Sequence, residues 1–270
     1  MLESDNSLRD QVGNDIPTIG NGDMQVNGDK LYAATGPGWD DPEEGWHHCP
    51  AGGGIFDKVY LEERDELYID DVFIRPDIDS GSVQVNVSVF SPYEDNAVIG
   101  LSADIIPYNF NSTEKTREMI KVTAGYGLNY YSFTINMNEF RMWDPESPWM
   151  YLARVKAEKD TYESTFGMRK FYMDEEENPR GSLFLNNKPI LLRGANEMGH
   201  LQLCVMREDF DQLIEDVLIA RYCNMNYYRI TQRPVQEEIY HYCDMLGMLN
   251  QADLPLFGYM RKNKFHEGVK

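Results

Sequence analysis

The chain has 270 residues, of which 42% are apolar, 12% aromatic and 26% charged, a composition that supports a folded core and excludes wholesale disorder. Its formal charge of −20, from 25 Lys and Arg against 45 Asp and Glu, repels phosphate backbones and anionic bilayers, so no nucleic-acid partner is expected. No apolar run approaches the roughly 18–20 residues needed to cross a bilayer, and the start MLESDNSLRD lacks the basic and apolar regions of a signal peptide. No membrane association is therefore expected, and the compartment stays open.

Residues 1–65 are rich in Gly, Asn and Asp (GNGDMQVNGDK, TGPGW, AGGGIF), with short runs such as KVYLEE between turn signals, the pattern of β structure with long loops. Within this stretch His47-His48-Cys49 is the only local cluster of metal-ligand types. It has no second pair at a zinc spacing, so a turn lining a groove is the favoured reading. The four cysteines, Cys49, Cys204, Cys223 and Cys243, form no C-x-x-C pair and read as reduced thiols.

Residues 66–172 alternate apolar and polar positions in LYIDDVFIRPDI, SVQVNVSVF, AVIGLSADII, YYSFTINM and WMYLARVKAE, separated by S-G, N-S-T and P-x-S-P breaks. About seven short strands in so short a span predict an immunoglobulin-like β-sandwich. After the acidic joint MDEEENPRG the pattern changes again. KPILLRGAN reads as a buried strand, and REDFDQLIEDVLIARYC reads as a helix with Phe210, Leu213, Ile214, Val217 and Leu218 on one face. NMNYYRIT reads as a second strand, VQEEIYHYCDMLG as a helix stopped by Gly247, and MLNQADLPLF as a third strand. Strands alternating with helices predict a parallel sheet.

Five segments, taken in order, resemble glycoside hydrolase family 2, the group of β-galactosidases, β-glucuronidases and β-mannosidases. GGGIFDKVYLE (52–62) is similar to the end of that family's jelly roll, and WDPESPWMYLARV (143–155) with FGMRKF (166–171) to the last strands of its sandwich. LFLNNKPILLRGAN (183–196), NMNYYRITQRP (224–234) and CDMLGML (243–249) resemble the first, second and third strand regions of its barrel. The resemblance implies a multidomain β plus α/β fold: the C-terminal part of a jelly-roll sugar-binding-like domain at 1–65, the immunoglobulin-like sandwich at 66–172, and the first strands and helices of a (β/α)8 catalytic barrel at 173–270.

Side chains at the C-terminal ends of barrel strands face substrate. Here those positions hold Asn196, Glu197 and His200 after strand one, Arg229 and Gln232 after strand two, and Asp253 after strand three. The resemblance implies that Arg229 supports a nucleophilic carboxylate, a task that suits a permanently charged donor fork, with a bracing role at the barrel mouth as the alternative. Asn196, His200, Gln232, Asp253, Glu197 and Trp46 are expected to line a sugar pocket, Asp253 either on a hydroxyl or behind another pocket residue. Asn196-Glu197 spells the family's acid/base dipeptide, but on strand one rather than strand four, so Glu197 is read as a rim residue. Glu197, Met198, Gly199 and Gln232 depart from the family pattern where sugar hydroxyls are read, leaving galactose, glucuronic acid and mannose open.

In the family the two catalytic carboxylates lie on barrel strands four and seven. The chain is thus expected to be an internal piece of a retaining glycosidase, completed by the remainder of the jelly roll and barrel and inactive alone. A carbohydrate is the expected partner. No organic cofactor is expected, and the resemblance allows a structural magnesium or sodium ion. The alternative is a non-catalytic carbohydrate-binding or scaffold protein, with Trp39 and Trp46 of GWDDPEEGWHHCPAGGG stacking on sugar rings rather than packing against a neighbouring domain. A dinucleotide enzyme is excluded, because no G-x-G-x-x-G follows the first strand of the third segment.

Overall fold

Val83, Val85, Val87 and Val89 are buried while Gln84 and Asn86 between the first three are only partly so, the two-residue alternation of a strand with one face in a core. The computed structural model describes residues 59–253 apart from 114, 177–179, 198 and 231–233, so residues 1–58 of the jelly-roll assignment, with Trp39, Trp46, His47 and Cys49, lie outside the described residues. Leu61–Leu191 forms one compact unit, and the residues from Leu192 belong to another.

In the first unit, β1 (Tyr68–Asp77), β2 (Ser82–Ser91), β3 (Ala97–Pro107), β4 (Thr116–Ala124) and β5 (Gly127–Asn136) are followed by the two-residue pair β6 (Trp143–Asp144) and β7 (Ser147–Pro148), then by β8 (Tyr151–Ala157) and β9 (Asp160–Phe166). They form two antiparallel sheets, ordered β1-β2-β5 and β4-β3-β8-β9. Val85, Val87, Ile135 and Phe133 of one sheet share a core with Ile99, Leu101, Ile105, Ala153 and Val155 of the other. This is the expected seven-stranded sandwich. The named apolar runs covered five of its strands. The other two, β4 and β9, are the edges of the larger sheet and are exposed at alternate positions such as Arg117, Thr161 and Glu163, as edge strands that resist further pairing commonly are.

The Trp-Asp-Pro and Phe-Gly-Met-Arg segments meet in this unit. Trp143 is fully buried, its N–H donates to the Met168 carbonyl (2.9 Å), and Arg169 lies over its ring at 4.5 Å. A β-carbon on Gly167 would sit 2.7 Å from Trp143 Cβ, so only glycine permits this approach. Tyr151, at the start of β8, accepts a hydrogen bond at its hydroxyl from the Arg141 N–H (2.7 Å), tying the strand to the chain that precedes it.

β10 (Phe171–Asp174), β11 (Ser182–Leu185) and β12 (Lys188–Pro189) form a further antiparallel sheet. KPILLRGAN is therefore not one strand. Lys188 and Pro189 pair with Leu185 and Phe184, and only Gly194 onward joins the parallel sheet. The compact units divide at Leu191/Leu192.

In the second unit, β13 (Gly194–Glu197), β14 (Tyr227–Ile230) and β15 (Leu249–Ala252) pair in parallel in chain order, with α1 (His200–Met206) and α2 (Phe210–Tyr222) between the first two and α3 (Glu237–Leu246) between the last two. Leu213, Val217 and Ala220 bury the inner stripe of α2 against Ile230, Ile239 and Cys243, whereas Leu218 of the expected stripe is exposed. Gly194 passes so close to β14 that a β-carbon would fall 1.8 Å from the Tyr227 carbonyl oxygen.

The helix α1 was not foreseen. It has seven residues, and its N-cap is Gly199 in the left-handed conformation, with no side chain to cap it. Glu197 supplies the missing acceptor: its buried Oε1 receives the N–H groups of Gly199 (2.8 Å) and Leu201 (3.0 Å), placing negative charge at a helix N-terminus.

Two outcomes follow for the purified chain in chemical denaturation. Gly167→Ala should lose about 1–3 kcal/mol through collision with Trp143, whereas Gly100→Ala, whose nearest neighbour would be the Glu158 carboxylate at 3.8 Å, should stay within about 1 kcal/mol of the parent. Glu197→Ala should lose about 1–2 kcal/mol together with part of the helical circular dichroism, through the loss of the α1 cap.

Candidate functional site

Pairing in register puts residues of parallel strands on the same face, so two sets emerge from the three-stranded sheet. Glu197 pairs with Ile230, which is buried among α1, α2 and α3, so Glu197 shares the helix-covered face. Asn196 pairs with Arg229 and Arg229 with Gln251, so these three share the opposite face. Strand alternation therefore separates the adjacent Asn196 and Glu197 into different environments.

The second face carries a connected polar network. Arg229 grips Asp253 with two donors, Nε to Oδ1 at 3.2 Å and Nη2 to Oδ2 at 2.6 Å. Gln251 Nε2 reaches the same Asp253 Oδ1 at 3.4 Å, and the Tyr227 hydroxyl donates to Gln251 Oε1 at 2.6 Å. A forked arginine–carboxylate pair has fixed geometry as well as charge. Arg229 retains 43% side-chain exposure against 17% for Asp253, so the cation faces outward while its partner braces it. Burial pushes the Tyr227 hydroxyl above its ordinary pKa. Burial pushes Tyr228, on the helix side, up to about 12.

Of the expected pocket residues, Arg229 and Asp253 come together at the strand ends, and Asn196 lies on the same face with an exposed side chain. Glu197 is buried and caps α1. His200 is exposed, and its Nε2 is 2.7 Å from Asp216 Oδ2 of α2. Gln232 and Trp46 lie outside the described residues. Gln251 and Tyr227 were not anticipated, although two-residue alternation from Arg229 and Asp253 leads directly to both.

Magnesium and sodium take oxygen donors. The cluster of three ligand-type side chains found among the described residues, His200, Cys204 and Asp216, offers nitrogen, sulfur and oxygen and does not fit either ion.

Comparison with known proteins matches residues 67–169 to the family model described as glycosyl hydrolases family 2, and residues 178–268 to its TIM barrel domain. A β-galactosidase of Photobacterium profundum is 26% identical over 229 residues, 78% of this chain and 21% of its own length. The chain thus spans about a fifth of the length of that curated relative. Among solved structures, a glycosyl hydrolase family 2 member from Bacteroides cellulosilyticus superposes with a TM-score of 0.64 at 18% identity, over 76% of this chain and 29% of that one. A β-glucuronidase from Bacteroides uniformis gives 0.55 at 20% identity, over 71% and 24% respectively. These likenesses carry the fold, and the two family matches, in domain order and together spanning most of the sequence, carry the membership: the chain belongs to glycosyl hydrolases family 2.

Proposed function

We propose that the protein containing these residues hydrolyses terminal β-linked sugars with retention of configuration, and that this chain contributes one wall of the sugar site. The observation that supports this most is the Arg229–Asp253 fork at the C-terminal ends of β14 and β15, the end at which barrel enzymes bind substrate. Family membership and the β-galactosidases among the relatives support the same reading.

The chemistry assigns each group a task. Retaining hydrolysis needs one carboxylic acid to protonate the leaving oxygen and one carboxylate, about 5–5.5 Å away, to attack the anomeric carbon. Arg229 is suited to neither role. It is a fixed positive charge that holds a neighbouring carboxylate ionised and therefore nucleophilic. Asp253 orients the guanidinium, and Gln251 with Tyr227 holds Asp253. Asn196, on the same face, offers both a donor and an acceptor to a sugar hydroxyl. Glu197 is excluded from the acid/base role because its carboxylate faces the helices and caps α1.

On this reading the 270 residues by themselves do not turn over substrate, because the strand-end carboxylates Glu197 and Asp253 are committed to a helix cap and to Arg229. Incubation with nitrophenyl β-galactoside, β-glucuronide and β-mannoside should release no nitrophenol. Hydrolysis that Glu197→Gln abolishes would overturn the assignment of Glu197. The activity itself is tested on the protein isolated from its natural source, by following the released sugar with NMR. Retained anomeric configuration on one of the three substrates supports the proposal, while inversion, or no turnover of any, contradicts it. In that protein Arg229→Lys should lower kcat/KM by about 10²-fold, since lysine cannot reproduce the fork, and should leave the melting temperature within a few degrees of the parent.

A further inference from the structure

We propose that His200, Cys204 and Asp216 form a binding site for a single divalent cation of the zinc class, which fastens α1 to α2. One nitrogen, one sulfur and one carboxylate oxygen, one atom from each residue, lie within 4.8 Å of one another. His200 and Cys204 are four residues apart on α1, so one helical turn stacks them on a common face. Asp216 approaches from α2, with Oδ2 at 2.7 Å from His200 Nε2 and 4.0 Å from Cys204 Sγ. In a tetrahedral zinc shell, neighbouring donors stand about 3.3–3.6 Å apart, so an ion would open the His200–Asp216 spacing and draw the Cys204 sulfur closer to Asp216. Small opposite adjustments of an exposed imidazole and a carboxylate suffice to admit it.

The surroundings favour coordination over a simple ion pair. Gln212 Nε2 holds the other carboxylate oxygen, Asp216 Oδ1, at 2.9 Å and so aims Oδ2 at the histidine and the thiol, the kind of support that metal-binding carboxylates commonly receive. Cys204 is buried, whereas the His200 side chain is 68% exposed, giving the ion an entry path and room for a water as fourth ligand. The mixed donor set suits zinc, or cobalt as its spectroscopic substitute, and not magnesium or calcium. Binding converts the Cys204 thiol to a metal-bound thiolate and releases its proton to solvent. The gain is structural: α1 is too short to be stable alone, and a clip to α2 adds to the cap that Glu197 provides.

The test uses the full 270-residue chain carrying Cys49→Ser and Cys223→Ser, stripped with a chelator and titrated with cobalt(II). One equivalent should produce the sulfur-to-cobalt charge-transfer band and the visible bands of a four-coordinate ion, and zinc should displace it. Cys204→Ser should abolish the charge-transfer band. His200→Gln, an exposed position that should leave the helical circular dichroism unchanged, should weaken cobalt binding at least tenfold, and Gln212→Ala should weaken it by about 10–100-fold. Zinc should raise the melting temperature of the parent and not of Asp216→Asn. Absence of the charge-transfer band at saturating cobalt, its persistence in Cys204→Ser, or undiminished affinity in His200→Gln would each overturn the proposal.

Discussion

The pleat of three short parallel strands governs what every residue at their C-terminal ends can do. β13, β14 and β15 each contribute four residues, and pairing in register commits alternate side chains to opposite faces. One face is closed by α1, α2 and α3 around Ile230, Ile239 and Cys243. The other gathers Arg229, Gln251 and, past the strand end, Asp253. A one-residue slip would exchange the two sets, sending the guanidinium among the helices and Ile230 to the polar face, so the buried stripe of the helices protects the polar network it never touches.

That constraint explains how two adjacent residues acquire unrelated tasks. Asn196 stays exposed on the face of Arg229, while Glu197 turns inward and becomes the acceptor that α1 lacks. A buried carboxylate at a helix N-terminus is tolerated because two backbone N–H groups point at it, replacing water. The dipeptide therefore has the composition of an acid/base pair and the geometry of a helix start.

The sandwich depends on a different kind of restriction, a close approach. Gly167 lies against Trp143, and the Asn186 side chain donates to the Trp143 carbonyl at 2.9 Å, so segments distant in sequence converge on one buried indole. Asn109 contributes similarly: it donates to the Pro148 carbonyl (2.7 Å) and accepts from the Met150 N–H (2.8 Å), holding the turn that delivers Tyr151 to β8. These contacts give the Trp-Asp-Pro and Phe-Gly-Met-Arg segments a structural meaning independent of any likeness to other proteins.

Much of this fold was legible in the order of the residues, because a two-residue or 3.6-residue apolar period is a local property. It revealed five of the sandwich strands, α2, α3 and the parallel arrangement after Leu192. It missed β4 and β9, whose positions at the sheet edges leave alternate side chains in solvent, and α1, whose cap lies upstream of its N-cap residue. It also joined Lys188–Pro189 to Gly194–Asn196, because an apolar run does not disclose which partner strand each end will find. The sequence by itself determined the two domain types, their order, and the presence of an arginine and an aspartate near strand ends. Only the tertiary structure decided that Arg229 and Asp253 hold each other, that Glu197 serves a helix, and that His200 meets Asp216, because each of these contacts joins residues on different elements or depends on which face of a sheet a side chain occupies.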